Sequence, residues 1–239
     1  MRRLTFSLLA AGALLATPLL AQAAYRAPNT APGSSLSGDF NKFFSKDPSK
    51  TPAGSYRLSP PHAALFVRVP HGGGVSYSLF RFNKMSGTLD WVPNDLTKSK
   101  LNLTVDVKSL ATNVPNFAEE LIGDGFLKTA QYPTATFVTT SAVRTGPQTG
   151  KMTGDLTLMG VTKPVTFDVT YVGGNQSAAA LMNLGFTAVG KIKRSDFGFT
   201  AALGPIGDEV TLTMDTEFAM PRPRPPIGGA PAAPAAPVK

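Results

Sequence analysis

The chain has 239 residues, of which 42% are hydrophobic, and it carries a formal net charge of +8. It contains no cysteine, which excludes a disulfide framework, so its stability must come from a packed core. Basic residues do not form a stripe interleaved with aromatic residues, which argues against nucleic acid as a partner and leaves only an unspecific attraction to anionic lipid headgroups.

The first 23 residues are typical of a secretory signal peptide. Arg2 and Arg3 precede an almost wholly apolar run over 4–20, and the sequence AQA at 21–23 provides a cleavage site of the A-x-A type. The apolar run is short for a transmembrane helix. We therefore expect cleavage after Ala23, a periplasmic location and no transmembrane span in the mature chain.

The next segment and the last one differ in composition from the middle of the chain. Residues 24–52 are rich in Pro, Gly, Ser and Asn and are predicted to be a flexible N-terminal arm, in which Phe40, Phe43 and Phe44 are candidates for docking on the domain. Residues 221–239 are rich in Pro and Ala and are predicted to be a disordered tail. These boundaries leave 53–220 as a single folded domain.

Short apolar segments follow one another through this domain, with turn residues between them. The candidate strands are 63–69, 75–83, 86–91, 100–107, 135–141, 152–158, 164–171, 184–193 and 210–218. In six of them, 63–69, 100–107, 152–158, 164–171, 184–193 and 210–218, apolar residues recur at every second position, which is the period of a strand with one buried face. The pattern predicts an all-β fold, an antiparallel barrel of about eight strands or a sandwich.

The stretch GDLTLMGVTKPVTFDV, residues 154–169, shows this pattern most clearly. Leu156 and Leu158 alternate with polar residues before the turn, and Val165 and its successors do so after it. We interpret the stretch as a hairpin whose turn is bracketed by Gly160 and Pro164, so that Lys163 and Pro164 belong to the turn.

One segment, 114–133, lacks the strand pattern and is predicted to be a short helical insertion. Residues 117–121 and 126–130 each resemble a helical turn, with Asn116 and Asp124 as candidate capping residues. Their apolar side chains are expected to face the domain and to close one end of the barrel.

The sequence offers little that could perform catalysis. His62 and His71 do not have a compact metal-ligand spacing, and there is no nucleophile elbow, Walker loop or dinucleotide-binding glycine motif. The adjacent carboxylates Glu119–Glu120 and Asp208–Glu209 are expected to be solvated. We therefore expect neither a catalytic site nor a metal site.

The buried faces of the strands are the better candidates for function. A barrel of about eight strands has an interior that is either just filled by side chains or wide enough for one ligand, and small residues such as Ala188 and Gly190 would open space. Periodicity leaves both interiors open. The basic corner at 191–196 also has two interpretations: a solvated strand with an Arg194–Asp196 pair, or a cationic rim for a headgroup, with Lys191 and Arg194 as its contacts.

Several segments in order resemble the YceI-like family of exported lipid-binding proteins. They include SYRLSPPHAALFVRV (55–69), QYPTATF (131–137), LTLMGVTKPV (156–165) and KRSDFG (193–198). The resemblance spans about 55–219. Many relatives carry an Arg-Asp-x-His-Leu pattern before the helical segment, whereas this chain has FAEEL at 117–121.

The resemblance implies an extended, lipocalin-like antiparallel barrel with an apolar channel, and no enzymatic activity. The bound molecule would be a long-chain isoprenoid, a quinone-type lipid or a similar amphiphile, without any other cofactor. A non-enzymatic envelope interaction protein with a packed barrel is the alternative, and a homodimer is one possible assembly. The channel wall is expected to consist of Leu65, Val67, Phe80, Leu103, Val105, Phe137, Leu156, Leu158, Val165, Phe167, Val169, Phe186, Ala188, Leu212 and Met214. The headgroup is expected to contact His62, Lys191 and Arg194.

Overall fold

The computed structural model describes residues 43–175 and 183–221. The predicted signal peptide (1–23), the predicted arm as far as residue 42 and the predicted tail from residue 222 lie outside these ranges. Within them, the strands are β1 Phe44–Ser45, β2 Gly54–His71, β3 Ser76–Phe82, β4 Met85–Trp91, β5 Lys100–Asp106, β6 Leu110–Ala111, β7 Thr134–Arg144, β8 Thr149–Leu158, β9 Val161–Asn175, β10 Asn183–Lys193 and β11 Glu209–Ala219. The helix α1 spans Phe117–Ile122.

Eight of these strands form a closed antiparallel barrel. Around the barrel the order is β2, β4, β5, β7, β8, β9, β10 and β11, and β11 pairs with β2 to complete the ring. Closure removes the exposed edges that an open sheet would present. The predicted all-β barrel of about eight strands is confirmed, with β1, β3 and β6 as additional short pairings.

The strand β2 is much longer than the predicted segment 63–69. Its first residues, 54–57, pair with β4, whereas 65–71 pair with β3. Pro60 and Pro61 lie between these two ladders, where the register between β2 and β11 shifts and no regular pairing needs their missing N–H groups. The prolines therefore mark an irregularity within one strand and not its beginning.

The hairpin between β8 and β9 has a tighter turn than predicted. Only Met159 and Gly160 connect the strands, with φ angles of 50° and 77°, as a type I′ turn requires. Pro164 lies within β9, opposite Asp155, so its assignment and that of Lys163 to the turn were wrong. Pro164 is exposed on the strand surface.

The helical insertion is shorter than predicted. Asn116 occupies the position before α1 with a left-handed backbone (φ 62°), and its side chain does not cap the helix. The segment after α1 forms backbone turns, such as Leu127 N–H to the Leu121 carbonyl (3.0 Å), in place of a second helix that Asp124 could cap. The apolar side chains of the insertion still face the barrel, because Leu121 and Leu127 are buried with Val107 and Leu110.

Aromatic side chains fill one end of the barrel, which we call the packed end. The Trp91 ring is stacked on Tyr171 (centroids 6.2 Å apart) and meets Phe186 edge to face (5.4 Å), and Phe186 in turn contacts Phe218. Aromatic packing of this kind combines a large buried apolar area with specific geometry.

Residues 43–52 cover the packed end. Trp91 Nε1–H donates to the buried Thr51 hydroxyl (3.0 Å), and the Tyr171 hydroxyl donates to the Ser45 carbonyl (3.3 Å). β1 also pairs with the end of β9. This part of the predicted flexible arm therefore belongs to the folded domain, because its polar groups satisfy those of the aromatic cluster.

Candidate functional site

The opposite half of the barrel is hollow. It encloses a cavity of about 480 Å³ between the inner faces of the strands, α1 and the loop at 199–207. This volume lies within the range of small-molecule binding pockets. We call this end of the barrel the cavity end.

Most of the predicted wall residues lie together around this cavity. Eleven of them line it: Leu65, Val67, Phe80, Leu103, Val105, Phe137, Leu156, Leu158, Phe167, Leu212 and Met214. Val169, Phe186 and Ala188 line instead a second cavity of about 50 Å³ towards the packed end. Val165 is buried in the core.

Four residues line both cavities and form the floor between them: Leu103, Phe137, Phe167 and Met214. Phe137 and Phe167 meet edge to face with centroids 5.3 Å apart, and both line both cavities. A Cβ at Gly190 would lie 2.6 Å from the Phe167 ring, and one at Gly154 would lie 2.5 Å from the Phe137 ring. The expectation that Gly190 opens space is therefore wrong, because Phe167 occupies the volume that a side chain there would need.

The interior thus combines the two alternatives that periodicity left open. The floor and the aromatic cluster pack the half that is covered by residues 43–52, whereas the half below α1 contains the cavity of about 480 Å³. A barrel packed throughout does not describe this molecule.

Few polar residues line the large cavity. Within the described residues they are His71, Ser78, Thr136 and Arg194. His71 and Ser78 were not predicted as site residues, although the alternation Leu65, Val67, Val69, His71 places this histidine on the inner face of β2. Extending that alternation by one position would have identified it.

Arg194 is buried and holds the loop at 199–207 in place. Its Nε–H donates to the Gly207 carbonyl (2.9 Å), Nη1 to the carbonyls of Phe199 (3.3 Å) and Ala201 (2.6 Å), and Nη2 to the Ile206 carbonyl (2.9 Å). Four of the five N–H groups of the guanidinium are thereby used by the backbone. Burial lowers the pKa of Arg194, and the charge of Asp208 partly offsets this effect.

The partner of this corner is Asp208, not the predicted Asp196. The Asp208 carboxylate accepts hydrogen bonds from the Ser195 backbone N–H (2.9 Å) and hydroxyl (2.7 Å). These two bonds hold the pKa of Asp208 below its usual value. The Arg194–Asp196 pair is not among the ion pairs of the described residues.

The other two predicted headgroup contacts lie outside the cavity. His62 is exposed, with Nδ1 3.1 Å from the Ser59 hydroxyl and 3.6 Å from the Glu217 carboxylate. Lys191 is exposed and forms an ion pair with Glu209 (2.8 Å). Of the three, the structure brings only Arg194 to the cavity.

Residues 43–175 and 183–221 also bear on two other kinds of site. No group of three or more His, Asp or Glu side chains in these ranges could hold a metal ion. Likewise, no helix there has the length and hydrophobicity needed to cross a membrane.

The fold and the cavity define a class: a closed antiparallel barrel with an internal apolar pocket at one end. Residues 56–218 match the YceI-like domain, and this chain belongs to that family, as the resemblance predicted. The protein YceI of Escherichia coli O157:H7 is 37% identical over 156 residues, which cover 65% of this chain and 81% of that protein.

Solved structures share the fold. BcnA of Burkholderia cenocepacia superposes with a TM-score of 0.60 at 22% identity, covering 67% of this chain and 98% of that one. A polyisoprenoid-binding domain from Saccharophagus degradans, implicated in plant cell wall breakdown, superposes with a TM-score of 0.53 at 17% identity, covering 71% and 100%. At these identities the likeness shows the fold alone.

Proposed function

We propose that this protein binds or carries a long-chain isoprenoid, a quinone-type lipid or a similar amphiphile in the cavity, and that it does so without catalysis. The observation that carries the proposal is the cavity of about 480 Å³ whose lining is almost wholly apolar. A cavity with such a lining favours an apolar ligand, because its few polar groups can form hydrogen bonds with only a small polar end of the bound molecule.

The energy of such binding follows from the area that the guest removes from water. Each buried CH₂ group contributes about 0.8 kcal/mol, so that about ten carbons supply about 8 kcal/mol. That free energy corresponds to a dissociation constant of about 1 μM, before the cost of ordering the chain. The ligand can thus be held without any ionic contact.

Two further observations support the proposal. The domain from Saccharophagus degradans is described as polyisoprenoid-binding and shares this fold. His71 is the last residue of β2 and Ser78 lies near the beginning of β3, and both are suited to meet the polar end of an amphiphile. We further propose a periplasmic location, because the sequence at 1–23 is typical of a secretory signal peptide. N-terminal sequencing of the mature protein should then give Ala24 as the first residue.

The test is a variant that fills the cavity. Ala135 lines the cavity on β7, whereas Val138 on the same strand points outward. Protein purified from cells is extracted and analysed by lipid mass spectrometry. We expect a lipid in the wild type and in Val138→Phe, and little or none in Ala135→Phe, in which the ring displaces several ligand carbons. Absence of lipid from the wild type, or equal lipid in the two variants, would refute the proposal.

A further inference from the structure

The outer face of β2 and β3 exposes apolar side chains where a barrel usually presents polar ones. Phe66 is 40% exposed, Tyr77 47% and Leu79 63%, and Val75 in the adjoining turn is 91% exposed. Outward positions of an antiparallel strand are normally polar, and contiguous exposed apolar side chains mark an interaction surface. These side chains adjoin one another, because β2 and β3 pair in this region.

Two arginines are interleaved with them across the two paired strands, an arrangement that the linear sequence did not reveal. Arg68 lies opposite Leu79 and its guanidinium is 3.2 Å from the centroid of the Tyr77 ring, whereas Arg81 lies opposite Phe66 and is 5.7 Å from its ring. We call Phe66, Arg68, Val75, Tyr77, Leu79 and Arg81 the arginine–aromatic face. Neither arginine takes part in an ion pair among the described residues.

The neighbouring strand does not neutralise this charge. Opposite Arg68 and Phe66, β11 presents Thr211 and Thr213. Of the carboxylates on β11, Glu209 pairs with Lys191, and Asp215 lies opposite Ala64, where it accepts from the Thr187 hydroxyl (2.7 Å). The face is therefore both apolar and cationic.

This face is also the back of the cavity wall. On the same two strands, the inward-facing Val69, His71, Ser78 and Phe80 line the large cavity. Any partner that binds the outer side of β2 and β3 therefore lies next to the cavity end of the barrel.

We infer that the arginine–aromatic face docks on a bilayer that contains anionic phospholipid. Arginines complement the phosphate charge, and Tyr, Phe and exposed aliphatic side chains partition into the interface between headgroups and acyl chains. A second copy of the chain fits less well, because a two-fold contact through this small face would bring the Arg68 and Arg81 of both copies close together. The role of docking rests on the proposed function, because docking would place the cavity of a lipid carrier beside a source of lipid.

The experiment measures co-sedimentation of the full chain with vesicles of phosphatidylcholine mixed with phosphatidylglycerol, and with vesicles of phosphatidylcholine alone. We expect binding to the first that weakens with added salt. The double variant Arg68→Gln/Arg81→Gln should bind about 30-fold more weakly, because each basic side chain near an anionic surface contributes about 1 kcal/mol. Leu79→Ser should also weaken binding, without changing the charge.

The matched control removes the same charge from the far side of the barrel. Lys151 on β8 and Lys163 on β9 are exposed, and β8 lies four strands from β2 around the ring. Lys151 is paired with Asp168, so this double variant matches the change in net charge and not the loss of two unpaired cations. Lys151→Gln/Lys163→Gln should bind vesicles like the wild type. Equal losses of vesicle binding in the two double variants would overturn the inference. It would also be overturned if the wild-type protein does not bind anionic vesicles, or if light scattering shows a dimer that forms through this face.

Failure of this inference is distinguishable from failure of the proposed function. The lipid that co-purifies with Arg68→Gln/Arg81→Gln should match that of the wild type, because both arginines point away from the cavity. Lipid in the cavity without vesicle binding overturns docking alone, and vesicle binding by a protein without lipid overturns carriage alone.

Discussion

Removal of the Phe167 ring should lengthen the ligand that the barrel accepts. Phe167 is buried in the floor and lines both cavities, so Phe167→Ala joins the cavity of about 480 Å³ to the one of about 50 Å³. The substitution deletes about six carbons, which leaves room for about one more isoprene unit and adds about 4 kcal/mol in favour of the longer chain. Without a ligand, the substitution should cost about 3–5 kcal/mol of unfolding free energy.

The control is Phe218→Ala. Phe218 is 3% exposed, like Phe167, but it lines only the small cavity near the packed end. The two variants should therefore lose similar unfolding free energy in urea once the lipid has been removed. Only Phe167→Ala should shift the mass distribution of the co-purified lipid upward. An unchanged distribution in folded Phe167→Ala, or the same shift in Phe218→Ala, would refute the role of the floor.

Three further predictions concern the stability of the domain. Arg194→Lys should lower the unfolding free energy in urea by about 3 kcal/mol, because a lysine ammonium cannot reach four carbonyls of the loop in a planar fork. Gly190→Ala should lower it by about 1–3 kcal/mol through the clash with Phe167, whereas Gly125→Ala, which meets open space, should change it by less than about 0.5 kcal/mol. Burial raises the pKa of Tyr171 to about 12. This phenol ionises near pH 10 in the unfolded chain, before it ionises in the folded protein. Its contribution to the unfolding free energy is therefore complete below pH 10, and about 3 kcal/mol is lost as the pH rises to 12. Tyr171→Phe should therefore show a flatter alkaline limb in urea titrations between pH 10 and 12.

Local sequence patterns were sufficient where neighbouring segments pair with each other. The alternation of Leu156 and Leu158 with Val165 and Phe167 identified the hairpin of β8 and β9, because inward positions recur with period two whatever the rest of the chain does. Nine of the eleven expected wall residues that line the large cavity lie on alternating faces of this kind; Phe80 and Phe137 do not belong to that set.

Patterns that depend on distant partners were not predictable in this way. The predicted strand covered only 63–69, yet β2 runs over Gly54–His71 because its two halves pair with different strands. Arg194 suggested a headgroup contact, yet four backbone carbonyls of a loop that comes later in the chain use most of its donors.

The two-residue period of the strands was enough to predict an all-β domain and the side chains that share a buried face. That period allowed a barrel or a sandwich, and the resemblance to the YceI-like family was needed to favour the barrel. The division of the interior into a packed half and a cavity depends on contacts between strands that no local pattern contains. Phe167 lies over Gly190, from the neighbouring strand, and Phe137 over Gly154, and these contacts set where packing stops and the cavity begins. Whether a glycine opens space or is covered by a ring depends on its neighbour across the sheet, and that neighbour is fixed by register and closure.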